Sequence, residues 1–85
     1  MKINRKDFFS RLGALLRARN PRAAEIDFDE HTDLIREQIL DSFGVTEVIL
    51  FVEEYTGRPI RVEDLTPTQI MTMELIYHHF VAEEY

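Results

Sequence analysis

Cysteine is absent from this sequence of 85 residues, and long apolar runs are missing as well. Without cysteine the fold can hold neither a disulfide framework nor a thiolate zinc site, so its apolar core alone must stabilise it. A chain this short forms one small domain and buries too little surface to enclose the deep pocket of a typical enzyme. We therefore expect a single domain over residues 1–85, with no catalytic activity of its own.

The N-terminal segment begins with basic residues but does not continue as a signal peptide. Arg11, Arg17 and Arg19 interrupt its apolar positions, whereas a signal peptide needs an unbroken apolar stretch. No other segment approaches the length and hydrophobicity of a membrane span. Together with the lack of cysteine, this pattern leads us to expect a cytoplasmic protein without a transmembrane segment.

The charge of the chain is distributed unevenly along its length. The formal net charge is −6, yet seven of the ten basic residues lie within residues 1–22 and fifteen of the sixteen acidic residues follow them. An acidic body repels phosphate backbones, which argues against nucleic acid binding by any part of the chain except the short basic N-terminal helix. We expect a monomer whose partners are proteins with basic surfaces.

The first helix is predicted by four apolar residues at the spacing of one helical face: Phe8, Leu12, Leu15 and Leu16. It should run from about Asn4, which can cap it, to Arg19. Asn20-Pro21 should end it, because the residue before a proline avoids the helical region. A long loop through Asp41 is then expected, anchored in the core by four apolar residues: Leu34, Ile35, Ile39 and Leu40.

A central helix is predicted from Ser42, whose hydroxyl can cap the first turn, to Gly57, a residue suited to a left-handed C-cap. Its inner face is apolar, with Val45, Val48, Ile49 and Val52. A short helical turn is expected at residues 63–65, and Thr66-Pro67 predicts the start of a last helix that runs to about Ala82. The expected fold class is all-α: a small four-helix bundle with three longer helices and one short third helix.

The segment ILDSFGVTEVILFVEEYTG, residues 39–57, places an Asp-Ser pair at the mouth of the apolar central helix, with glutamates after it. This arrangement resembles the acyl and peptidyl carrier proteins, whose Asp-Ser-Leu motif carries a phosphopantetheine arm on the serine. Here the motif is Asp41-Ser42-Phe43, and the likeness extends from Asp33 through the closing helix in helix order, size and acidity. Gln38 stands where many discrete carriers have glycine, and Phe43 replaces the commoner leucine.

The resemblance implies a site centred on Ser42. A phosphopantetheinyl transferase would attach 4′-phosphopantetheine covalently to that serine, and Asp41 would serve recognition or coordinate the partner's magnesium ion. The arm would carry an acyl or aminoacyl group as a thioester to loading and transferring enzymes of fatty acid, polyketide or related biosynthesis. Those enzymes would dock on five residues of the central helix: Phe43, Thr46, Glu47, Glu53 and Glu54.

Two other interpretations of Ser42 remain open. In the first, the serine is a simple N-cap in a non-carrier helical adaptor that docks a basic protein through its acidic central helix. In the second, it is a hydrolytic nucleophile, but LDSFG lacks the glycine two residues before the serine that a nucleophile elbow requires. Loss of function in Ser42→Ala with an intact fold would favour the carrier over the adaptor.

Three further patterns carry weaker signals. The alternating oxygen-bearing residues at 27–33 resemble a calcium loop, but Thr32 occupies the place where that loop needs glycine. His78 and His79 are adjacent on a predicted helix, unlike histidines four apart that can share a zinc ion. The basic residues within 1–22 are more typical of a solvated or ion-paired surface than of a contact with a partner or a membrane. We expect no metal site.

Overall fold

The computed structural model describes residues 4–82, which form helices and turns with no strand in that range. The α-helices are α1 (Arg5–Arg19), α2 (Pro21–Glu25), α3 (Ser42–Thr56) and α4 (Met73–Ile76), and α4 continues as a π-helical turn, Tyr77–Val81. Two 3-10 turns, Val62–Asp64 and Pro67–Ile70, lie between α3 and α4. The predicted all-α class is confirmed for these residues. Three longer helices were predicted, but in this range only α1 and α3 are long.

The first helix begins and ends where the sequence predicts. The side-chain oxygen of Asn4 accepts the N–H of Asp7 at 3.2 Å, which caps α1 as expected. Phe8, Leu12 and Leu16, which share the predicted apolar face, are buried. The spacing of these residues therefore identified the face of α1 that packs on the rest of the chain.

The long loop predicted after α1 is wrong at its start, because α2 follows α1 directly. Pro21 takes the first helical position, where its missing N–H has no partner to lose. Asn20 caps this new helix, with its side-chain oxygen accepting the N–H of Arg22 at 2.9 Å. Ala23 is fully buried. The same Asn-Pro pair thus ends one helix and begins the next, and the loop shrinks to residues 26–41.

The continuous last helix predicted to run to Ala82 is also wrong. The chain is extended at Thr72, whose hydroxyl caps α4 by accepting the N–H of Leu75 at 3.0 Å. After Ile76 the backbone hydrogen bonds follow the π pattern and span five residues. The N–H of Ala82, for example, donates to the carbonyl of Tyr77 at 2.8 Å.

The break before α4 is stabilised by the loop of residues 26–41. The N–H of Leu34 donates to the carbonyl of Met71 at 2.7 Å, and the N–H of Glu74 donates to the carbonyl of Glu30 at 2.9 Å. The carbonyl of Met71 and the N–H of Glu74 therefore bond to the loop, and not to the partners that they would have in a continuous helix. Tertiary hydrogen bonds therefore interrupt a segment whose apolar spacing is helical.

An aromatic cluster centred on Phe8 joins α1, α3 and the π-helical turn. The Phe8 ring is fully buried, and its centroid lies 5.3 to 5.9 Å from the rings of Phe9, Phe51, Tyr55 and Tyr77. These separations are in the range of favourable aromatic pairs. The cluster therefore fixes α3, which carries the candidate site, against α1.

A set of polar side chains, Asp7, Arg11 and Tyr55, borders this aromatic cluster. The Tyr55 hydroxyl donates to the Asp7 carboxylate at 3.0 Å, and Arg11 pairs with the same carboxylate at 2.9 Å. The Arg11 hydrogen bond, followed by that of Tyr55, lowers the pKa of Asp7. Burial, followed by the hydrogen bond to Asp7, raises the pKa of Tyr55.

Ion pairs involve most of the basic residues near the N-terminus, as predicted for this surface. In addition to Arg11, the paired residues are Arg5 with Glu74, Arg19 with Glu47 at 3.0 Å and Arg22 with Glu37 at 4.0 Å. Arg17 instead lies over the ring of Phe28, 4.6 Å from its centroid. Lys2 lies outside the described residues.

Candidate functional site

The loop that leads to Ser42 is anchored by apolar side chains and by backbone hydrogen bonds. Leu34, Ile39 and Leu40 are buried, as predicted, whereas Ile35 is 41% exposed and does not anchor the loop. The N–H groups of Ile39 and Leu40 both donate to the carbonyl of Leu34, at 2.8 and 3.0 Å. This tight turn delivers the Asp-Ser pair to the start of α3 at a fixed position.

Gln38 takes the left-handed conformation within that turn. Its φ angle is +62°, and no other non-glycine residue of the described chain has a positive φ. The side-chain amide of Asn20 donates to the carbonyls of Gln38 and Ile39, at 3.1 and 2.6 Å. The end of α1 therefore stabilises the turn that positions the candidate site.

Asp41, and not Ser42, is the N-cap of α3, which corrects the prediction for the serine. The carboxylate of Asp41 accepts the N–H of Gly44 at 2.7 Å. Gly44 suits this arrangement, because a Cβ there would lie 3.2 Å from the Leu40 side chain and 3.3 Å from the Asp41 carboxylate. Ser42 becomes the first residue of the helix proper.

The Ser42 side chain is exposed at this helix end. Within residues 4–82 its hydroxyl forms no hydrogen bond, whereas the neighbouring Asp41 carboxylate is bonded to the Gly44 amide. The first amides of a helix and its dipole favour a negative group at this position. An exposed serine at this position is therefore suited to carry a negatively charged group.

The outward face of α3 alternates apolar and acidic residues. Phe43, Glu47, Leu50 and Glu54 recur at spacings of four, three and four, which places them on one face. Phe43 is 71% exposed and Leu50 is 57% exposed, so the ring of Phe43 and the methyl groups of Leu50 face water. We call these four residues the outer stripe. Thr46 is also exposed and lies beside it.

The three predicted docking glutamates differ in their contacts. Glu47 pairs with Arg19 of α1 at 3.0 Å, and Glu53 accepts the backbone N–H of Ile60 at 2.7 Å. Glu54 is exposed and forms no ion pair among the described residues. The structure therefore does not bring the three together as one acidic row, since Glu53 serves the turn after α3 and lies off the outer stripe.

An open depression begins at Ser42 and extends along α3 to the 3-10 turn at Val62. Its volume is about 400 Å³, and its lining is mainly apolar: Ser42, Val45, Thr46, Ile49, Leu50, Glu53 and Val62. Val62 is 58% exposed. The sequence analysis did not identify Leu50 or Val62 as site residues. The spacing of seven between Phe43 and Leu50 does predict that Leu50 shares a helix face with Phe43.

The weaker candidates at residues 27–33 have structural roles. The Asp29 carboxylate accepts the N–H of His31 at 2.9 Å and the hydroxyl of Thr32 at 3.2 Å, and these bonds lower its pKa. Asp33 accepts two N–H groups of the next turn. Within the described chain no three histidine or acidic side chains are grouped as metal ligands.

Comparisons with protein-family models, with curated proteins and with solved structures gave no match for this chain. Over residues 4–82, none of the helices is long and apolar enough to cross a membrane.

Proposed function

We propose that this chain is a carrier protein that bears an acyl or aminoacyl group as a thioester on a 4′-phosphopantetheine arm attached to Ser42. One observation carries the proposal: the exposed Ser42 hydroxyl stands uncommitted at the first turn of a long helix, because Asp41 provides the cap. The resemblance of Asp41-Ser42-Phe43 to the carrier motif gives that hydroxyl its chemical role.

The surroundings of Ser42 fit a phosphodiester. The helix dipole and the unpaired amides of the first turn stabilise an anion by roughly 0.3–1 kcal/mol at an exposed position. The negative charge of Asp41, whose carboxylate already accepts the Gly44 amide at 2.7 Å, works against this stabilisation. The apolar depression that begins at Ser42 offers the arm a surface next to its attachment point.

The chain itself supplies attachment and recognition and leaves catalysis to its partners. In the modification, the Ser42 oxygen forms a bond to the phosphorus of phosphopantetheine in coenzyme A, as the bond to adenosine 3′,5′-bisphosphate breaks. A base of the transferase takes the hydroxyl proton, so no residue of this chain needs to lower the pKa of Ser42. The arm then supplies the thiol on which a thioester forms.

The outer stripe provides a docking face for the partner enzymes. Phe43 and Leu50 supply apolar contacts, and Glu54 supplies a charge that attracts a basic surface. A net charge of −6 would speed encounters with basic enzymes while leaving the complexes weak enough to separate. Such exchange is what a carrier that serves several enzymes requires.

The test is the intact mass after incubation with coenzyme A, magnesium and a broad-specificity phosphopantetheinyl transferase. We expect the wild-type chain to gain one phosphopantetheinyl group and Ser42→Ala to gain none. Ser10 is the one other serine of the sequence and is exposed on α1, so Ser10→Ala is a matched control that should still be modified. No gain for the wild type with several transferases would favour the alternative, a helical adaptor that docks through the outer stripe.

A further inference from the structure

The ion pair between Arg19 and Glu47 crosses from the end of α1 to the middle of the outer stripe. The Arg19 guanidinium lies 3.0 Å from the Glu47 carboxylate, and the two side chains are 60% and 23% exposed. Glu47 stands between Phe43 and Leu50 on the face that those residues leave open to water. A cation of the chain itself therefore occupies the centre of its acidic and apolar docking face.

The second carboxylate of the outer stripe has no such partner. Glu54 is exposed and forms no ion pair with any residue in the range 4–82. A basic partner that approaches α3 therefore meets one available carboxylate at Glu54 and one that is already neutralised at Glu47. Arg19 shows in addition that a guanidinium can pair with the Glu47 carboxylate.

We infer that Arg19 is an internal competitor for the partner's cation at Glu47, and that it restricts docking to proteins that bind through Phe43, Leu50 and Glu54. The inference rests on the proposed carrier function for the identity of the partners as basic enzymes. Partners that rely on a row of charges are disfavoured, because they must first displace Arg19. Partners with an apolar centre and one cation are favoured.

The strength of this ion pair, which is exposed on the Arg19 side and half-buried on the Glu47 side, suits this role. Such pairs contribute little, and salt screens them, so a partner can displace Arg19 without unfolding the chain. Electrostatic complementarity between partners acts mainly on the rate of association. The competition should therefore appear as a change in kcat/KM that depends on ionic strength.

The experiment compares the kcat/KM of a broad-specificity phosphopantetheinyl transferase for the wild type and for variants at low salt. Arg19→Ala should raise kcat/KM about two- to fivefold, the range that an ion pair open to solvent on one side can supply. Arg11→Ala removes the same charge from α1, but its partner is Asp7, so it should leave kcat/KM unchanged. Glu54→Gln should lower kcat/KM more than Glu47→Gln does.

Two further measurements separate competition from a general effect of charge. The double variant Arg19→Ala/Glu47→Gln should lose the gain of Arg19→Ala, because the released carboxylate is then absent. The gain should also disappear at about 1 M salt, where the screening length falls to about 3 Å.

The outcomes distinguish this inference from the function on which it rests. Modification of the wild type without a gain for Arg19→Ala, or with an equal gain for Arg11→Ala, would overturn the competition and leave the carrier function standing. No modification of any variant at any salt concentration would contradict the carrier function and the inference together. Thermal unfolding of Arg19→Ala within a few degrees of the wild type verifies that its fold is intact.

Discussion

Replacement of Gln38 by glycine should stabilise the protein. With a φ of +62°, Gln38 is held in the left-handed region, where a residue with a Cβ loses about 1–2 kcal/mol. Glycine removes that strain but has more freedom in the unfolded chain, which costs about 0.5–1 kcal/mol. The centres of these two ranges differ by about 0.75 kcal/mol, which is the predicted gain in the free energy of unfolding. For a domain of this size, that gain raises Tm by about 3–6 °C.

The assay is urea and thermal unfolding of Gln38→Gly beside Gln38→Ala. The Gln38 side chain is exposed and forms no hydrogen bond within residues 4–82, so alanine should leave stability nearly unchanged. Glycine should exceed both alanine and the wild type, because it alone relieves the positive φ. A Gln38→Gly protein no more stable than Gln38→Ala would refute the left-handed turn before Ser42, and with it the path of the loop.

Three other predictions concern the cap, the glutamates and the pH dependence of stability. Asp41→Ala should lower the free energy of unfolding by about 1 kcal/mol and Ser42→Ala by less than about 0.5 kcal/mol in urea unfolding; equal losses would contradict a cap at Asp41. Glu53→Ala should cost about 1.5 kcal/mol through its lost hydrogen bond, while Glu54→Ala should leave the midpoint unchanged; similar midpoints would remove the distinction between the two. The carboxylate of Asp7 contributes stability above its unfolded pKa, near 3.8, and that contribution is lost as the pH falls through its lowered folded value. Asp7→Asn should therefore flatten the acid limb of a stability profile, and an unchanged limb would argue against the Arg11 and Tyr55 contacts.

Local signals predicted the ends of the two long helices. Asn4 caps α1 through a side chain that acts within one turn. Gly57 ends α3 with a φ of +73°, a conformation that glycine adopts without steric cost. Each of these signals depends on residues close in the chain, so the sequence was sufficient to find them.

The choice of cap and the break before α4 depend on features that local patterns do not decide. Aspartate and serine are comparable N-caps, so local preference does not decide between the adjacent Asp41 and Ser42, and the prediction chose the serine. The extended backbone at Thr72 depends on hydrogen bonds between the loop of residues 26–41 and the segment before α4, which are distant in the chain. The buried residues Ile70, Met73, Ile76 and Val81 recur at helical spacing in this segment, and that spacing does not reveal the break.

For the same reason, the sequence predicted only part of the candidate site. The position of Ser42 followed from its motif, whereas the contacts of the glutamates did not. Glu47 meets Arg19 from a different helix, and Glu53 meets the amide of a residue seven positions further on. Contacts with residues outside α3 distinguish a carboxylate that holds the fold together from one that is available to a partner. Residue spacing on α3 alone does not reveal such contacts.

The most direct test of the carrier function uses the absence of cysteine from the chain. After treatment with coenzyme A, magnesium and the transferase, and removal of the transferase and of free coenzyme A, any thiol that stays with the protein must belong to an attached arm. Thiol titration should give one thiol per wild-type chain and none for Ser42→Ala. No thiol on the wild type, or an equal amount on Ser42→Ala, would contradict a phosphopantetheine carrier with its arm on Ser42.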